Sequence, residues 1–142
     1  MPASGSGPDL LVDTSVAVAL IVADHEHHET TLRALRDRRL GLAGHAAFET
    51  FSVLTRLPPP ARRTPGAVAR LLAADFPQSK FLGPTAAAGL LGNLHTLGLA
   101  GGAVYDARVG GVANEHGLTL ATRDRRALET YRMLEVRVEF LS

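Results

Sequence analysis

Cysteine and tryptophan are both missing from the 142 residues, and Lys80 is the only lysine. Without cysteine there is no disulfide, no thiolate nucleophile and no cysteine-ligated zinc, a set of absences that fits a reducing compartment. Neither sign of charge is in excess. Lys and Arg number 15 against 14 Asp and Glu, a net charge of +1, so no overall field draws the chain onto nucleic acid and any such contact falls to local patches. Long hydrophobic runs are missing as well. The apolar stretch over residues 10–23 is interrupted by Asp13, falls short of the roughly 20 residues a membrane-spanning helix requires, and has no basic residue before it to make a signal peptide. A cytoplasmic protein with no membrane role is the expectation.

What is present suffices for one core. The chain is 46% hydrophobic with a mean hydropathy of +0.09, enough to fill one globular domain and too short to divide into two. Residues 1–8 are Gly, Ser and Pro-rich and bury too little apolar surface to offset their ordering entropy, which predicts a disordered tail ahead of a domain over 9–142.

Residues 9–13 (DLLVD) form an apolar run that changes to helical character over 15–22, the pattern of a buried parallel strand feeding a helix. An amphipathic helix is predicted over 26–39, with Leu32 and Leu35 facing inward, and a brief second strand over 41–44. Helical spacing returns over 45–57, until Pro58, Pro59 and Pro60 end it. A basic loop, a helix over 67–75, a short third strand over 81–83 and a helix over 85–97 follow. The last third predicts a helix over 103–116 capped by Gly117, a strand over 118–122, a helix over 126–134 and an alternating edge strand over 136–141. No internal repeat is visible. Strand alternates with helix throughout, so the expected fold class is α/β, a mostly parallel open sheet with helices on both faces.

In such a sheet chemistry collects beyond the carboxyl ends of the strands. Asp13 and Asp124 fall at such ends, and Glu49 and Asp106 fall in the first turns of helices that start on the same rim. Carboxylates crowded together repel and raise one another's pKa, so a bound divalent cation is the natural reason to gather four of them. Hard oxygen donors without cysteine favour Mg²⁺ or Mn²⁺. An ion held there can acidify a water and offset charge building on a phosphodiester, the chemistry of a nuclease.

Taken singly, each acid also has a structural role open to it, since Asp caps helices and Glu in a first turn complements the helix dipole. Gly101, Gly102, Gly110 and Gly111 flank Asp106 and suggest close backbone packing near it. Asp9, Asp24, Asp37 and Asp75 fit no constellation and are expected to be solvated. The run DHEHHE over 24–29 competes as a metal motif, but His25, His27 and His28 do not share one helical face, and a polar helix start is the simpler expectation. His45, His95 and His116 are assigned packing or capping. Arg123, Arg125 and Arg126 flank Asp124 and are expected to orient RNA through its phosphates.

In order and context, LLVDTSV with Asp13, AAFETFSVL with Glu49, AVYDARVGGVANEHG with Asp106 and LTLATRDRRAL with Asp124 resemble the PIN-domain proteins, above all the VapC-type toxins of bacterial toxin-antitoxin pairs. The resemblance runs over nearly the whole chain from Leu10. It implies a doubly wound sheet and a metal-dependent endoribonuclease, with Asp13, Glu49, Asp106 and Asp124 as metal-binding catalytic acids supported by Ser15 and Thr122. It also implies a VapB-like antitoxin whose C-terminal segment blocks the site, and a homodimer. Val16, Leu20, Ile21, Phe51 and Leu54 line either a groove for that partner or the core. Two other functions stay open, a binding module that keeps the fold without chemistry, and a small-molecule phosphohydrolase using Asp13 as nucleophile. The second is weaker, because Ser15 stands where a second acid would be expected.

Overall fold

The computed structural model describes residues 9–142, so the tail expected over 1–8 lies outside the described residues. Four parallel strands, β1 (Asp9–Val12), β2 (Arg39–Leu42), β3 (Leu120–Thr122) and β4 (Val138–Phe140), form one sheet in the order β2-β1-β3-β4. Between them run α1 (Thr14–Ile21), α2 (His28–Ala34), α3 (His45–Thr55), α4 (Pro65–Asp75), α5 (Pro84–Leu97), α6 (Ala103–His116) and α7 (Leu128–Met133), with a 3₁₀ turn over Arg125–Ala127.

Alternation along β1 explains why both faces are covered. Leu10 and Val12 point into a core built with Val16, Leu20, Leu35, Leu54 and Val68, whereas Leu11 points into a second core with Val109, Val112, Leu120 and Tyr131. Helices α1 to α4 therefore close one face and α6 and α7 the other. A strand apolar at successive positions can only be buried on both sides, which is the parallel-sheet arrangement.

Several local expectations shift. Helix α2 is shorter than 26–39: Glu26 and His27 lie in a turn, and Arg39 is drawn into β2 by its register with Asp9, where the two side chains pair at 2.8 Å. Asp9 is therefore paired rather than merely solvated. Strand β2 accordingly starts two residues ahead of the expected 41–44. No strand forms over 81–83, because Gly83 caps α5 and Pro84 has no N–H to give. Pairing falls earlier, where the N–H groups of Gln78 and Lys80 donate to Leu40 and Leu42 and Lys80 bridges Ala43.

Val16, Leu20, Ile21 and Leu54 are core residues, and Phe51 packs against them, so they line no partner groove. Apolar surface lies elsewhere, at Phe48, Phe81, Leu91 and Tyr105. Helix α6 has the expected bounds and ends at Gly117, in the left-handed region at φ 64°. No described helix is long and apolar enough to cross a membrane.

Candidate active site

Asp13 leaves β1 and caps α1, accepting the N–H of Val16. Its Oδ1 also accepts from Ser15 Oγ at 2.5 Å. Its Oδ2 accepts from Thr122 Oγ1 at 2.5 Å and from Tyr131 Oη at 3.0 Å. Four donors thus fill the four lone-pair sites that a carboxylate offers, and the residue is only 5% exposed. Burial raises its pKa, and the hydrogen bonds from Ser15, Thr122, Tyr131 and Val16 oppose that rise. Ser15 and Thr122, expected as supporting groups, both donate to this carboxylate. So thoroughly bonded an oxygen pair makes a poor covalent nucleophile, which counts against phosphohydrolase chemistry at Asp13.

No sequence pattern points to Tyr131. Its ring is buried in the second core, burial and the charge of Asp13 push its hydroxyl pKa upward, and the protonated hydroxyl donates a hydrogen bond to Asp13. A signal existed in Gly110, where an added Cβ would lie 3.2 Å from the Tyr131 ring and 3.1 Å from Val136. The close packing inferred from glycines near Asp106 is real at that position. Gly101 and Gly102 approach nothing.

Asp124 follows β3 and caps the 3₁₀ turn, accepting from Arg126 N at 2.9 Å. Its own N–H donates to Thr122 Oγ1 at 3.0 Å, so Thr122 ties Asp13 and Asp124 together. Asp106 lies in the first turn of α6, and Glu49 lies in α3, which packs on α6. The Asp106 carboxyl is pushed up to about 6, first by partial burial and then by the charges of Asp124, Asp13 and Glu49, with Arg126 pulling the other way. The charges of all three other acids thus bear on Asp106.

Among the described residues no three Asp, Glu or His side chains stand together at a spacing that would grip an ion. The donor set suits a hard divalent cation, because the elevated Asp106 pKa is the penalty such an ion removes.

The three arginines divide. Arg126 reaches back to Asp124, Nε to Oδ1 at 3.7 Å, with its side chain 95% exposed. Arg123 turns toward α2 and donates to Thr31 Oγ1 at 3.2 Å. Arg125 lies over the Phe140 ring, 4.9 Å from its centroid.

A model of the PIN domain matches residues 10–133. Ribonuclease VapC40 of Mycobacterium tuberculosis is 49% identical over 132 residues, spanning 92% of this chain and 97% of that protein. Ribonuclease VapC27 of the same organism is 44% identical over 131 residues, spanning 92% and 96%. Among solved structures, VapBC2 from Rickettsia felis bound to a promoter DNA fragment superposes with a TM-score of 0.66 at 12% identity, covering 94% of this chain and 99% of that one. DNA-bound VapBC from Salmonella typhimurium gives 0.66 at 20%, covering 94% and 98%. At such identities these two structures speak to the fold.

Proposed function

The chain belongs to the PIN-domain family, and from that membership we propose that it is a VapC-type toxin, an endoribonuclease that hydrolyses RNA phosphodiester bonds with Mg²⁺ or Mn²⁺ and is neutralised by a VapB-like antitoxin. The observation that carries the proposal is the gathering of acids, with Thr122 joining Asp13 and Asp124 at the strand ends and α3, which bears Glu49, packed on α6, which bears Asp106, an arrangement in which burial and the charges of the other three push the Asp106 carboxyl up to about 6. Charge concentrated to that degree is costly unless a cation answers it.

Asp106, Asp124, Glu49 and Asp13 would hold the ion. Ligation by Asp13 would take the place of one of its four hydrogen bonds. A divalent ion there supplies an acidified water and a counter-charge for the phosphodiester. The chain's own residues do the rest. Ser15, Thr122 and Tyr131 fix the Asp13 carboxylate, Thr122 also sets the backbone that presents Asp124, and Arg126 adds an exposed positive charge beside Asp124.

Two relatives named as ribonucleases, at 49% and 44% identity over nearly their full lengths, support the activity. The VapBC assemblies of the same fold support the partner. Exposed Phe48, Phe81, Leu91 and Tyr105 offer the apolar surface that an antitoxin segment and a second toxin copy would cover. The cytoplasm, where its RNA substrate lies, is the proposed place of action. Partner-free protein should cleave RNA when Mg²⁺ or Mn²⁺ is added and stop when the ion is chelated. Asp106→Asn should abolish cleavage while circular dichroism stays native, and full activity in that variant would end the proposal.

A further inference from the structure

The DHEHHE run is not used by the four acids, and the structure splits it. His28 turns back on α1, its Nδ1 2.9 Å from the Ala19 carbonyl oxygen. His25 and His27 instead line a cavity of about 500 Å³ with Ser15, Arg123, Arg125 and Phe140. That volume is in the range of small-ligand sites.

The cavity shares a wall with the acids. Ser15 Oγ, which donates to Asp13, accepts the Arg123 N–H at 2.9 Å, and Asp124 sits between the two arginines in sequence. Among the described residues neither guanidinium has a carboxylate partner. Arg123 spends one of its five donors on Thr31 and Arg125 is braced by the Phe140 ring, so both are positioned with donors to spare. The one acidic side chain in the wall, Glu26, is 82% exposed and lies 3.3 Å from His27, and Ser142 brings its main-chain carboxylate to the same wall, with neither of these acids paired to an arginine among the described residues. Nδ1 of His25 accepts the His27 N–H at 3.0 Å, which leaves the neutral ring its proton on Nε2, a donor in the cavity wall. The two imidazole rings are 5.7 Å apart and tilted by 48°, flat faces at the end of a basic cleft.

Unpaired guanidiniums beside planar rings suit single-stranded nucleic acid, whose phosphates take charge and whose splayed bases stack. Resting on the ribonuclease reading, we propose that this cavity seats the RNA strand beside the cleavage point, with a phosphate between Arg123 and Arg125 and the adjoining base on His25 and His27. A strand lying over Asp13 and Asp124 leaves the acid site directly into it.

The test is fluorescence anisotropy with a labelled single-stranded RNA of mixed sequence, at pH 8, with every protein carrying Asp106→Asn to prevent cleavage. Arg125→Ala should weaken binding about tenfold and reduce the slope of log Kd against log salt by about 0.7. His25→Ala with His27→Ala should cost about tenfold through lost stacking and leave that slope unchanged. Arg70→Ala, on α4, should change neither. Unaltered Kd values in both cavity variants, with native circular dichroism, overturn the proposal. So does a loss confined to antitoxin binding, which would make the cavity a protein seat. Should Arg125→Ala unfold, Arg125→Lys decides: it keeps the charge and the slope but loses the fork, so weaker binding supports the site and full binding refutes it. Cleavage of the same RNA by the parent protein separates the two readings. Cleavage with unmoved Kd values sinks the cavity alone, whereas binding losses without any cleavage sink the nuclease and leave the cavity standing.

Discussion

The two halves of the acid cluster are built differently. On the β1 and β3 side, Asp13 is buried and holds four hydrogen bonds, two of them from residues more than a hundred positions away. On the helical side, Asp106 is part-exposed and raised to about 6 with the charges of Asp124, Asp13 and Glu49 pressing on it. One half is knit together by folding, its carboxylate met by three hydroxyls and a backbone N–H, although burial still leaves its pKa raised. The other is left in deficit, and a deficit of that sign is what a cation fills.

The contrast would be broken most sharply by amide substitution at each acid in turn. Asp13→Asn and Asp106→Asn should each lower cleavage by at least about 10²-fold, yet move stability in opposite directions. Asp13→Asn removes a buried acceptor from several donors and should cost about 2–4 kcal/mol in denaturant unfolding. Asp106→Asn relieves repulsion and should raise the melting temperature of metal-free protein at pH 8. If both variants were destabilised alike, the two halves would not differ in the way described. Next in size is Tyr131→Phe, which removes one hydrogen bond to a buried carboxylate. A loss of about 1.5–3 kcal/mol in stability and of about 10–100-fold in activity is expected, and wild-type values in both assays would make that bond incidental.

Tyr131 carries no local mark in the sequence. Asp13 and Thr122 stand at strand ends, which the switch from an apolar run to a helical pattern marks locally, and helix α6 was legible to the residue because glycine closes it. Tyr131 sits in an ordinary stretch, LETYRM, and its importance comes only from a long-range approach that Gly110 permits. The pairing of Gln78 and Lys80 along β2 was hidden for a similar reason, since a chain that follows a sheet edge through two N–H groups and one bridge has no periodicity to read. The DHEHHE run reads as a polar helix start because its companions, Arg123, Arg125 and Phe140, lie about a hundred residues on.

A smaller effect should appear with pH. An acid whose folded pKa stands above its unfolded value stabilises the fold below the unfolded value and loses that contribution as pH rises through the folded one. Asp106, at 3.8 unperturbed and about 6 folded, should therefore make metal-free protein melt at lower temperature as pH climbs from about 4 to about 7. Saturating Mn²⁺ at pH 7 should reverse the drop, by about 2.7 kcal/mol at a hundredfold excess over Kd. A melting temperature that ignored both would show Asp106 uncoupled from the other acids. The smallest change belongs to Arg126→Ala. That side chain is 95% exposed, so its charge is well screened, and an activity loss of no more than about threefold, vanishing at high salt, is expected.

Anomalous diffraction from crystals of the partner-free protein soaked in Mn²⁺ tests the metal site most directly. A peak bound by Asp106 and Asp124, lost in Asp106→Asn, is the expected result. A peak at His25 and His27 instead, or none with the acids unchanged, would contradict it.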